Sequence, residues 1–104
     1  MRHYTFSIQV KNPVVRNEVV LSESQIKFIH LESKGYNQYD AAKICQISRG
    51  TLHNALINFN SQTGCHNAQG RVGWAVEQRI LIVENREIQI APEYRLRRDS
   101  TFTV

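Results

Sequence analysis

AAKICQISRGTLHNALINFNSQ, residues 41–62, sets a small-residue run, a short turn and a capped amphipathic segment in direct succession. Ser48 is a residue type that accepts a backbone N–H at a helix start, and Ile47 and Leu52 flank it at the spacing of an N′-to-N4 hydrophobic staple. From there Leu52, Ala55, Leu56 and Phe59 recur at i, i+3, i+4 and i+7, so one stripe of a third helix is apolar. Arg49, His53, Asn54 and Asn58 fall largely away from that stripe. Thr63-Gly64 ends the segment. Upstream, Asn37 with Asp40 three residues on repeats the N-cap logic, and a second helix of about eight residues follows with Ala41, Ala42, Ile44 and Cys45. Its alanines permit close helix-helix approach, and Gln46-Ile47 makes the turn.

Working outward, Ser22-Glu23-Ser24-Gln25 is a capping-box pattern that opens a first helix over residues 23–33. Phe28, Ile29 and Leu31 supply its buried face, and Gly35 provides the left-handed position that ends it. Asn67 caps a fourth helix with Val72, Ala75 and Val76 on a narrow buried side, and Trp74 there completes the core rather than anchoring a partner. Before the first helix, Tyr4, Phe6, Ile8 and Val10 alternate with polar residues as in a half-buried strand, until Asn12-Pro13 interrupts. Val14, Val15, Val19 and Val20 form a short strand or an extended arm. After Arg79, Ile80-Leu81-Ile82-Val83 and Ile88-Gln89-Ile90 read as two strands joined by a tight polar turn over residues 84–87, and Pro92 stops the second. The tail carries Arg95, Arg97 and Arg98 and is expected to be partly ordered. The fold class is therefore mainly α: a four-helix unit over residues 21–79, with short β-strands over 1–20 and a β-hairpin and basic tail over 80–104.

With 104 residues, the chain forms one small domain with no room for a large enclosed catalytic cavity. Hydrophobic residues make up 41% and charged residues 21%, which excludes disorder of the whole chain. A net charge of +4 fits a polyanionic partner. No Asp or Glu occurs over residues 41–76, whereas Lys43, Arg49 and Arg71 do, with His53 and His66; that stretch can face phosphate without local repulsion. No secretory signal or membrane-spanning segment is visible, so a cytoplasmic location with both cysteines reduced is expected. Cys45, His53, Cys65 and His66 are sound zinc-ligand types, but their spacing matches no zinc motif. No nucleophile-base pair, phosphate-cradling glycine loop or carboxylate pair is evident, and neither a cofactor nor an enzymatic activity is expected.

Residues 21–75 resemble the four-helix DNA-binding domain of the LuxR/GerE group of bacterial transcription regulators. The resemblance runs without gaps over about half the chain. It rests on Leu21-Ser22, Leu31, Gly35, Ala42, Ile47-Ser48, Thr51-Leu52, Asn58, Asn67 and Val72. It implies that the third helix enters the major groove, the second lies across it, and the fourth supports packing or dimer contacts at two-fold related half-sites. Cys45 and Cys65 occupy positions where the family has apolar core residues. Four positions depart from the family pattern: His53 and Gln62 stand where basic residues are usual, Ala68 where an Arg is usual, and Gln25 where an acidic residue is usual. Phosphate affinity and fixed structure are expected to be weaker for it.

On this reading Arg49, His53, Asn54 and Asn58 face base edges, because Arg suits guanine O6/N7 and Asn suits adenine N6/N7. Lys43, Thr51 and the Asn37-Gln38 helix start are candidates for phosphate contacts. The expected function is a sequence-specific transcription regulator that binds double-stranded DNA as a homodimer, with no room before Leu21 for a sensor domain. The alternative is a protein-interaction module that keeps the fold but acts through a partner regulator. The flanking β segments are expected either to pair with each other or to build a dimer interface, since a lone hairpin is marginal in water.

Overall fold

Ser22 Oγ accepts the Gln25 N–H at 3.2 Å while the Gln25 carboxamide oxygen accepts the Ser22 N–H at 2.8 Å, and this capping box opens α1 (Glu23–Ser33). The computed structural model describes residues 9–95. Asn37, Ser48 and Asn67 cap α2 (Gln38–Cys45), α3 (Arg49–Thr63) and α4 (Ala68–Glu77) in the same way, each accepting a backbone N–H three residues on. The helix ends are equally regular. Gly35, at φ +94°, lets the Tyr36 N–H reach the Leu31 carbonyl and the Gly35 N–H reach that of Glu32. Gln46 takes the same left-handed position at φ +61° after α2, without glycine's freedom, and Ile47 N–H closes on the Ala42 carbonyl. The turn between α2 and α3 is thus held from both sides.

Two hairpins flank the helices. β1 (Val14–Arg16) pairs antiparallel with β2 (Val19–Leu21), and β3 (Leu81–Glu84) with β4 (Glu87–Ile90). Asn17-Glu18 and Asn85-Arg86 make the turns, both residues of each having positive φ, the backbone that matches strand twist in a two-residue hairpin. Leu21, expected to begin the helical unit, is instead the last residue of β2. Val14, Val19 and Leu21 point inward and Val15 and Val20 outward, as strand alternation requires.

The helices and hairpins share a core in two parts, with α1 between them. Ile26 and Ile29 join Val14, Val19, Leu21, Phe59, Ala75, Ile80, Leu81 and Ile90 on one side. Phe28 and Leu31 join Ala41, Ala42, Leu52 and Leu56 on the other. Because α1 is covered on both sides, Gln25, Ile26 and His30 are buried along with the Phe28, Ile29 and Leu31 of the expected face. Ile47 packs beside Leu52 in the second cluster, as a staple should.

Two expectations change. The flanking β segments do not combine into one sheet: each hairpin closes on itself, and among the described residues the backbone pairing between the segments is where Val10 bridges Arg95 and Lys11 N–H donates to the Tyr94 carbonyl at 2.9 Å. On α4 the inward positions belong to Arg71 and Ala75, and Val76 is exposed. Pro92–Tyr94 forms a 3₁₀ turn where the expected tail begins. Tyr4, Phe6 and Ile8 of the expected first strand, His3, and Arg97 and Arg98 of the basic tail lie outside the described residues. Among those described, no helix is long and apolar enough to cross a membrane.

Candidate nucleic-acid interface

Leu52, Leu56 and Phe59 hold one side of α3 in the core, which turns the rest of the helix outward. Lys43, Arg49, Thr51, His53, Asn54 and Asn58 are all exposed. They do not share one face. Arg49 and His53 are four residues apart and continue to Ile57 in one row. Asn54 and Ser61 lie beside that row, opposite the buried stripe, with Gly50 below them. Asn58 falls on the far flank with Thr51 and Gln62, about half a turn from Arg49. Arg49 and His53 therefore mark one flank of the outward arc, and Asn54, four residues before Asn58, shares the other flank with it.

What occupies Asn58 is an amide network. Gln25 Nε2 donates to the Ala55 carbonyl at 2.9 Å and to Asn58 Oδ1 at 3.1 Å, and Gln62 Nε2 donates to the same oxygen at 3.0 Å. Gln62 also takes the Val20 N–H on its oxygen and gives a hydrogen bond to the Val20 carbonyl, both at 3.0 Å, as a neighbouring strand would. The side-chain oxygen of Asn58 thus ties α3 to α1 and β2. Gln25 and Gln62, expected to weaken the unit by departing from the family pattern, are two of its fixings. A carboxylate at 25 has no N–H for the Ala55 carbonyl.

Thr51 is committed in part to the helix start: its N–H donates to Ser48 Oγ at 3.0 Å and its hydroxyl accepts from the Ser48 hydroxyl at 2.9 Å. Lys43 and Arg49 are differently placed. Lys43 Nζ lies 4.6 Å from the ring centroid of Tyr39, and the Arg49 guanidinium carbon 5.8 Å from the same centroid. Tyr39 is 53% exposed. Among the described residues neither cation has a carboxylate partner.

Arg71, counted from sequence among the cations able to face phosphate, is buried and neutralised. Its Nε and Nη2 grip the two carboxylate oxygens of Glu32 at 2.9 and 2.6 Å, and Nη1 donates to Asn60 at 3.2 Å. This bidentate pair joins α1, α3 and α4. The outward charge of the acid-free stretch is correspondingly Lys43 and Arg49, with His53 and His66 exposed beside them.

Trp74 meets Phe59 edge-to-face, ring centroids 5.3 Å apart, and packs on the core as expected. Cys45 and Cys65 are partly buried against different core clusters. Burial pushes the Cys45 thiol up, away from the thiolate that binds metal or attacks carbon. Among the described residues no three His, Cys, Asp or Glu side chains gather to hold a metal ion. Two outward residues were missed from sequence, Tyr39 and Ile57. Each left a signal: Ile57 is an apolar residue off the stripe of Leu52, Leu56 and Phe59, and Tyr39 stands four residues before Lys43 on one helix face. No family model, curated protein or solved structure matches this chain.

Proposed function

We propose that the protein is a sequence-specific DNA-binding transcription regulator that lays α3 in the major groove. The observation that carries this reading is the outward row of Arg49, His53 and Ile57, with Asn54 beside it, on a helix packed along its opposite side and free of carboxylates. A helix of fifteen residues spans about 22 Å, ample for a groove about 12 Å wide. Asn54 suits adenine and Ile57 offers an apolar contact to a thymine methyl, while Arg49 in the first turn supplies charge for the phosphate backbone. Two further features support a LuxR/GerE-like arrangement: the order of four capped helices, and a three-residue turn at Gln46, Ile47 and Ser48. Binding as a homodimer at two-fold related half-sites belongs to the same proposal.

Duplexes selected from a randomised pool test it. Enrichment of one motif is expected, with Asn54→Ala weakening the selected site by about tenfold to a hundredfold while binding to scrambled duplex changes far less. The reading fails if no motif is enriched and binding at low salt does not exceed that of a carboxylate-rich control protein.

A second reading has its own observation: α3 carries one cation in fifteen residues, and Ile57 at its outward centre is 51% exposed. A protein-interaction module acting through a partner regulator would use that apolar residue as its contact. Ile57→Asp then abolishes partner capture, whereas Arg49→Ala does not.

A further inference from the structure

Tyr39 stands outside both parts of the core. It lies on the outer side of α2, more than half exposed, and belongs to neither core cluster. Yet its ring is approached by two cations from different elements: Lys43, four residues on in α2, and Arg49, in the first turn of α3 across the turn. Lysine and arginine left to themselves on a surface repel each other and spread into solvent. The negative face of an aromatic ring is attractive to both, so one ring can hold two like charges close together.

We infer that Tyr39, Lys43 and Arg49 form one phosphate-binding site, in which Tyr39 is the positioning residue and the two cations are the contacts. The inference rests on the proposed DNA-binding reading and adds to it a residue and a division of labour. Neither cation has a carboxylate partner among the described residues, so an incoming phosphodiester displaces no ion pair. The guanidinium offers paired N–H donors and the ammonium a point charge, together a match for the two non-bridging oxygens of one phosphate. Holding both side chains beforehand reduces the ordering cost of binding. The site also lies beside the positive end of α3, which adds to its attraction for an anion. Since it spans the α2–α3 turn, an occupied site fixes where α3 sits along the duplex without reading any base.

The test compares the full chain with Tyr39→Leu and Tyr39→Phe on a selected duplex and on its scrambled counterpart over a salt series. Tyr39→Leu is expected to weaken both duplexes alike, by about three- to fivefold, because a lost cation–π hold is not sequence-specific. The slope of log affinity against log salt should fall toward the value for one phosphate fewer. Tyr39→Phe keeps the ring and recovers the loss. Combining Tyr39→Leu with Lys43→Ala and Arg49→Ala should add nothing to the loss those two already cause. Three results overturn the inference and leave the DNA-binding reading standing: no effect of Tyr39→Leu, equal losses for Leu and Phe, or a loss confined to the selected site. If the unmodified chain binds no duplex, both fall together. Circular dichroism melts of the variants, with the side chain on the surface, should coincide with that of the parent; a melt lowered by more than a few degrees assigns Tyr39 to the fold and overturns the inference.

Discussion

Gln25 illustrates how much one side chain can hold. Its oxygen closes the cap of α1, and its amide nitrogen reaches the Ala55 carbonyl and Asn58 of α3. Replacing it by Glu keeps the shape and the cap but removes the N–H donors, leaving a carboxylate against two acceptors in a buried place. Gln25→Glu is therefore expected to destabilise the fold by about 2–3 kcal/mol in urea titrations near neutral pH. A loss under about 0.5 kcal/mol would mean that the contacts to α3 carry little. At this scale the sequence was only partly legible. Arg49, His53 and Asn54 follow from the position of the apolar stripe, because exposure on a helix is a local matter. The exposure of Asn58 follows in the same way, but its engagement does not, because its partner Gln25 is 33 residues away and no periodicity encodes that meeting. Arg71 was misread for the same reason: its charge was visible and its partner Glu32, 39 residues away, was not.

At the scale of elements, all four helix starts were legible, because Ser22, Asn37, Ser48 and Asn67 satisfy orphan N–H groups by local chemistry. The second hairpin was legible too, from its paired apolar runs about a polar turn. The first was less so, because its strands are only three residues long. Such a short hairpin needs outside support, and Gln62 supplies some of it. Gln62→Leu removes both hydrogen bonds to Val20 and returns that edge to water, so the expected cost is only about 1 kcal/mol. The sharper readout is hydrogen exchange. The Val20 amide should exchange at least tenfold faster in the variant while amides in α2 keep their parent rates; unchanged exchange at Val20 would remove Gln62 from the support of β2.

Across the whole molecule, α1 is the element that both halves of the core depend on, and His30 is a buried titratable group on it. His30 is 2% exposed, with Nε2 3.0 Å from the Ile88 carbonyl of β4. Burial lowers its pKa from 6.5 to about 4. The unfolded chain therefore takes up the proton first as pH falls. The contribution of neutral His30 is fully present above pH 6.5 and is lost between 6.5 and about 4, amounting to roughly 3 kcal/mol by linkage. Stability measured in urea should decline over that window in the parent chain and decline less in His30→Gln, which can still donate to Ile88. Parallel declines in the two would place the acid sensitivity elsewhere. The core as a pair of clusters around one helix was not legible from sequence, since a helix buried on two sides shows no clean stripe, and α1 was expected to have one inward face. The clamp on Val20 has a further consequence for this molecule among its neighbours. The outward backbone of β2 is already satisfied by Gln62, while that of Val15 on β1 has no partner among the described residues. Strand addition to this hairpin is thus open on one side only, and two copies joined there by a two-fold axis would consume each other's free edge. Through this hairpin, association therefore stops at a pair.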